Sequence, residues 1–143
     1  MGKVSIIYWS GTGNTEAMAA AMAEGAKDAG AEVELLTVDK ADAAALSEAK
    51  AFALGCPAMG AEVLEEGEME PFMAELDSQI AGKTIALFGS YGWGGEWMRD
   101  WESRVVSDGA AVLSGEGIIA DNAPDDDVLA ECRAAGAKLA ALV

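Results

Sequence analysis

The chain is predicted to adopt an α/β fold, a doubly wound five-stranded parallel sheet of order 2-1-3-4-5 with helices on both faces. Three observations predict it. Short apolar runs alternate with helix-patterned stretches from one end to the other. No Pro/Ser linker or internal repeat interrupts that alternation, and 143 residues suit one domain, spanning residues 1–143. Glycine-rich or flexible segments follow three of the apolar runs, where a doubly wound sheet binds its ligands.

The first strand is Val4 to Tyr8, and the first helix runs from about Thr15 to Ala29, with Met18, Met22 and Ala26 on one stripe and Gly30 placed to end it. Strand two follows through Val33, Leu35, Leu36 and Val38. Residues Asp39 to Ala49 are weakly patterned and suit at most a short helix, after which Ala51 to Cys56 reads as strand three, stopped by Pro57. An acidic loop and helix extend from Glu62 to about Ile80, and Thr84 to Ser90 is a buried fourth strand. A helix carrying Trp97 and Trp101 starts near Glu96. The fifth strand spans Ala110 to Ala120 with a break at Ser114 to Gly117. The last helix begins after Pro124, its positive end matched by Asp125, Asp126 and Asp127, with Val128, Leu129, Cys132, Leu139 and Leu142 on its inner side.

Composition narrows the function. Nine basic against 25 acidic side chains give a net charge of −16, which excludes nucleic acid as a partner and favours a basic protein surface. Hydrophobic residues reach 52%, yet no run approaches the ~20 residues of a membrane span, and the opening Met-Gly-Lys-Val-Ser-Ile fits neither a secretory signal nor an acylation motif. A cytoplasmic, acidic, monomeric protein is expected. Cys56 and Cys132 lie far apart in apolar surroundings and the chain has no histidine, so buried thiols are expected and no metal site.

The loop Trp9-Ser10-Gly11-Thr12-Gly13-Asn14-Thr15 joins a strand to a helix start and aims backbone N–H groups at one point, while Ser10, Thr12, Asn14 and Thr15 add neutral donors. It reads as a phosphate cup. The P-loop lysine is missing, and Glu16 stands where a dinucleotide loop needs a small residue. The second loop, Pro57-Ala58-Met59-Gly60-Ala61-Glu62, offers a thioether to cover a flat ring, a glycine whose peptide turns at little cost, and a carboxylate to accept from a ring N–H. In the third, Ser90-Tyr91-Gly92-Trp93-Gly94-Gly95-Glu96, Trp93 has no local partner and suits stacking on a ligand, whereas Trp97 and Trp101, four apart, suit the core.

With these residues assembled, the chain resembles the short-chain flavodoxins of anaerobic bacteria over essentially its whole length. The carriers are Tyr8 to Glu16, Ala58-Met59-Gly60, and Leu87 to Gly94. The resemblance implies bound flavin mononucleotide (FMN), with Ser10 to Thr15 on the 5′-phosphate, Met59 and Trp93 on either side of the isoalloxazine, Gly60 answering ring atom N5, Glu62 meeting N3, and Asn122 near the flavin. Pro57, Ala58, Ser90, Tyr91, Gly92 and Gly94 complete that set. It further implies a low-potential one-electron carrier rather than an enzyme, working through a stabilised neutral semiquinone between ferredoxin-utilising oxidoreductases by transient contact. Two departures stand out: the loop after Trp93 looks one residue shorter than in members of the family, and Ala61 stands where a polar residue is common. An FMN-dependent NAD(P)H:quinone-type reductase is the alternative, but no insertion builds a second pocket. A phosphorylation-dependent signalling domain of the same topology lacks its carboxylate cluster after strand one.

Overall fold

Runs rich in valine, isoleucine and leucine make up the centre of the sheet, as expected of strands covered on both faces. In the computed structural model, which describes residues 2–60 and 62–143, the strands are β1 (Lys3–Tyr8), β2 (Glu32–Thr37), β3 (Ala51–Gly55), β4 (Thr84–Tyr91), β5 (Ala111–Val112) and β6 (Ile118–Asp121). Between them lie helices α1 (Asn14–Asp28), α2 (Ala43–Leu46), α3 (Met69–Leu76), α4 (Glu96–Ser107) and, at the end, α5 (Asp126–Leu142). Every strand pairing in the sheet is parallel and the order is β2-β1-β3-β4-β5, as predicted, with β6 also on β4. What reads in the sequence as one interrupted fifth strand is two. β5 pairs with Thr84 and Ile85, β6 pairs with Phe88 to Tyr91, and a 3-10 turn at Leu113–Gly115 separates them, with Ser114 at a φ of 63°.

Alternation along the strands sorts the core into two layers. Val4, Ile6 and Tyr8 of β1 join Ala53 and Phe88 against α1 and α5, while Ile7, Phe52, Leu54 and Leu87 face the layer of α3 and α4 with Trp97 and Trp101. Helix α1 ends as its sequence requires. Gly30, at a φ of 96°, donates to the Lys27 carbonyl at 2.9 Å, and Ala31 donates to Ala26 at 3.1 Å, satisfying carbonyls that the last turn leaves open.

The inner side of α5 differs from the expectation. Its buried stripe is Cys132, Ala135, Gly136, Leu139 and Ala140, at the spacing of one helix face, whereas Leu142 lies off that stripe and is 43% exposed. Val128 and Leu129 are partly buried at the layer's edge. Small residues dominate the stripe because α1 and α5 nearly touch: a β-carbon on Gly25 would collide with the Arg133 carbonyl, and one on Gly136 with that of Met22. Both cysteines are buried, and burial pushes each thiol up to about 12, so neither is a ready nucleophile. No helix among the described residues is long and apolar enough to cross a membrane.

Candidate functional site

The carboxyl ends of β1 and β3 mark the point where the winding reverses, with α1 on one face and α3 on the other. A ligand crevice opens there in such sheets. The first loop is shaped by its own hydroxyls. Gly13 precedes α1 at a φ of 95° and offers no capping side chain, so Ser10 takes that place: its Oγ accepts from the N–H of Gly13 at 3.1 Å and of Glu16 at 3.3 Å. No earlier helical turn can satisfy the N–H groups of Asn14 and Thr15. Thr15 is 1% exposed, and its hydroxyl lies 3.3 Å from that of Ser90 while accepting from the Ser90 N–H, so it rivets the start of α1 to the end of β4. Near its rim, burial and a hydrogen bond to Glu16 raise the Tyr8 phenol above its usual range.

The second loop is tied to the third. Ala58 donates its N–H to the Ser90 carbonyl at 2.9 Å, and Met59 and Val63 exchange backbone hydrogen bonds at 2.9 and 3.1 Å, closing a tight bend. Gly60 and Glu62 both adopt left-handed backbone in that bend, with φ values of 42° and 61°, and no atom crowds the open side of Gly60. Ala61 lies outside the described residues. The Glu62 carboxylate accepts from the backbone N–H of Gly95 at 3.1 Å and of Trp97 at 3.2 Å, so it caps α4 from across the cleft. Sequence reading gave Glu62 a ligand-facing role alone. Two of its oxygen lone pairs serve the helix, and a carboxylate has further acceptor sites beside them.

In the third loop Trp93 is 75% exposed, as its sequence setting implies. Trp97 is buried: its Nε1–H donates to the Cys56 carbonyl at 3.0 Å, and its ring meets that of Tyr91 at a centroid distance of 5.7 Å. Gly94, at a φ of 85°, presses on Glu62 so closely that a β-carbon would strike the carboxylate. A fourth segment closes the rim. Asn122 stands at a φ of 60°, donates its N–H to the Tyr91 carbonyl at 2.7 Å, and its side chain to Asp121 at 2.8 Å.

These segments enclose a cleft of about 220 Å³. Gly11, Thr12 and Asn14 line it from the first loop, Pro57, Ala58 and Met59 from the second, Ser90, Tyr91 and Gly92 from the third, and Asn122 from the fourth. Ser10, Gly13 and Thr15 hold the first loop by hydrogen bonds without lining the cleft, and Gly60, Glu62, Trp93 and Gly94 belong to the loops that line it but are not themselves part of the wall. Wider hollows of 360 and 440 Å³ occur beside α2, but charged side chains line both and neither is lined by residues of the loops 9–15, 57–60 or 90–95. One residue of the wall escaped the sequence reading as a contact. Trp9, the first residue past β1, lines the cleft beside Gly11, and its indole N–H donates to Glu68 at 3.1 Å. Its signal was its place inside the loop.

The flavodoxin family model matches residues 6–136. The chain is 48% identical over 124 residues to a flavodoxin of Clostridium beijerinckii, covering 86% of this chain and 89% of that one. It is 46% identical over 135 residues to the flavodoxin of Megasphaera elsdenii, covering 92% and 98%. The solution structure of the two-electron reduced M. elsdenii protein superposes with a TM-score of 0.85 at 44% identity, over 96% of this chain and 99% of that chain.

Proposed function

The chain belongs to the flavodoxin family, and from that premise we propose that residues 1–143 form one FMN-binding unit that carries electrons between redox proteins. Flavodoxins are electron-transfer proteins rather than enzymes. The observation that carries the reading is the cleft at the switch point, where neutral hydroxyls, amides and a helix start meet apolar Met59, Ala58 and Tyr91. Its residues fit a flat ring with one phosphate tail: no Lys or Arg lines the wall, and the donors are neutral.

FMN, when bound, supplies reversible one-electron chemistry, and the protein tunes it by contact and charge. Ser10 to Thr15 hold the phosphate, with Gly11 and Gly13 letting the backbone come close. Met59, from the cleft wall, and the exposed Trp93 would cover the two faces of the ring and keep water off it. Tyr91, Gly92 and Gly94 bring the third loop alongside, Asn122 closes the fourth side, and Pro57 and Ala58 fix the height of Met59. Gly60, whose open side no atom crowds, would offer its carbonyl to the ring edge, and Glu62, held in place by the N–H groups of Gly95 and Trp97, would accept from a ring N–H. A reductase acting on NAD(P)H and a quinone is not favoured, because Met59 and Trp93 would cover the ring faces on which a nicotinamide would have to stack.

The partners are basic-surfaced redox proteins in transient contact with a monomeric, cytoplasmic chain of net charge −16. Titrating the flavin-free chain with FMN tests the reading. One equivalent is expected to bind with quenching of Trp93 fluorescence, and the loaded protein is expected to leave NAD(P)H unoxidised without an added reductase. Failure to bind FMN, or direct NAD(P)H oxidation, would overturn it.

A further inference from the structure

Trp9 has two attachments, one at each end of its indole. The six-membered ring lies under Gly11, so close that a β-carbon there would come within 3.2 Å of Cη2 and 3.3 Å of Cζ3. At the other end Nε1–H donates to the Glu68 carboxylate at 3.1 Å, next to the start of α3. The backbone is fixed as well, since the Trp9 N–H donates to the Gly55 carbonyl at 3.0 Å and extends the β1–β3 ladder by one step. Gly11 and Thr12 are otherwise exposed, and the hydrogen bonds inside the loop run only to Ser10. Ser10 and Thr15 hold the end of the loop that enters α1, and the Trp9 indole supports the exposed Gly11 side.

Glu68 is itself anchored. Its N–H donates to Glu65 at 2.7 Å, and Glu65 also accepts from Gly67 and Met69, a set of bonds that outweighs burial and holds its carboxyl below the usual range. The chain of contacts thus runs from the capped start of α3 through Glu68 and the indole to the backbone of Gly11.

We propose that Trp9 and Glu68 form a strut that sets the shape of the phosphate loop, and through it the preference for the phosphorylated over the unphosphorylated flavin. This rests on the FMN-binding reading above. With its N–H committed to Glu68, the indole acts on the phosphate by shape and not as a donor. Both are positioning residues. A loop without the strut samples conformations in which its N–H groups diverge, so the loss falls on the phosphate tail alone. Glu68 is an acidic residue hydrogen-bonded to the loop's own Trp9, so charge repulsion alone predicts that removing it would strengthen FMN binding; the strut predicts the reverse.

The experiment measures dissociation constants of FMN and riboflavin for the flavin-free parent, Trp9→Phe, Glu68→Ala and Glu68→Gln. Trp9→Phe keeps a ring under Gly11 but loses the N–H, and Glu68→Gln keeps an oxygen acceptor. Trp9→Phe and Glu68→Ala are expected to weaken FMN about tenfold, the effect of one hydrogen bond to a charged group. Riboflavin affinity is expected to change by less than about twofold, and Glu68→Gln to restore most of the FMN preference. An unchanged ratio of the two constants, an equal loss for both flavins, or tighter FMN binding by Glu68→Ala would overturn the strut. If the parent itself binds neither flavin, the FMN-binding reading falls first.

Discussion

Glu62 joins two segments that are distant in sequence: it belongs to the bend after β3 yet caps the helix that begins at Glu96. Its own backbone is left-handed, which costs a non-glycine residue about 1 kcal/mol or more, so the two N–H bonds must offset that cost. Glu62→Ala is expected to lower stability by about 1 kcal/mol, the value of a lost cap, read as a drop of about 4 °C in the melting temperature of the flavin-free chain. An unchanged melting temperature would show that α4 does not need the carboxylate. At this scale the loop compositions were legible, because glycine, hydroxyl and thioether residues carry their chemistry wherever they sit. The partners of Glu62 and Trp9 were not. Each is set by a residue more than thirty positions away, and single-sequence spacing holds no record of such pairs.

Helices α3 and α4 are joined by Arg104, whose guanidinium donates to Asp77 at 2.8 and 3.0 Å and to Glu70 at 2.9 Å. Burial works to raise the Asp77 carboxyl, but the hydrogen bonds and charge of Arg104 and a bond shared with Asp108 hold it below its usual range. Asp108, at the end of α4, is pushed up to about 6 by burial first and then by Asp77, and its Oδ2 is buried without a partner. A carboxyl raised in the folded state binds its proton more tightly there than in the unfolded chain. Asp108 therefore favours folding at low pH, and this contribution is lost as pH rises from about 4 through 6, whereas Asp77 contributes above its unfolded value and loses that contribution on acidification. Asp108→Asn is expected to raise stability at pH 7 by about 1 kcal/mol after allowance for solvent screening, and to flatten the denaturation midpoint between pH 5 and 7. A loss of stability at pH 7 with an unchanged profile between pH 5 and 7 would show that Asp108 is ionised and well paired. At the α1–α5 crossing the opposite sign is expected. Gly136→Ala gains about 1 kcal/mol in helix propensity, but its methyl meets the Met22 carbonyl, and the collision costs about 3 kcal/mol, leaving a net loss in urea unfolding. Element boundaries were legible to within a residue or two where periodicity was strong, as in α1 and α4. Two errors have one origin: the split of the fifth strand and the outward turn of Leu142 depend on which neighbour each residue meets, and hydropathy alone does not encode it.

Eight of the nine basic side chains lie outside the loops at the carboxyl ends of the strands, the exception being Lys40 in the turn after β2. Lys3, Lys50 and Lys83 sit at the opposite ends of β1, β3 and β4, while Glu16, Glu62, Glu68 and Asp121 surround the cleft. The charged side chains nearest the cleft are thus acidic, and no Lys or Arg lines it. One carboxylate at about 8 Å with an effective dielectric near 20 disfavours an added negative charge by about 2 kcal/mol, or about 90 mV for one electron. The second reduction potential of the loaded protein is therefore expected to rise as salt screens these charges, measured from about 0.01 to 0.5 M ionic strength. A flat response would remove charge as the cause. Net charge was legible in the composition, but its separation from the cations is a property of the fold. The glycine-to-carbonyl crossing of α1 and α5 also governs the order of assembly. It brings Glu24 against Arg133 across a separation of 109 positions, so the side of α1 that α5 covers stays open until the last helix exists. A nascent chain that has already emerged with its nucleotide loop complete still shows an apolar flank to the cell, and a chaperone that grips such flanks would find it there until translation reaches the final turns.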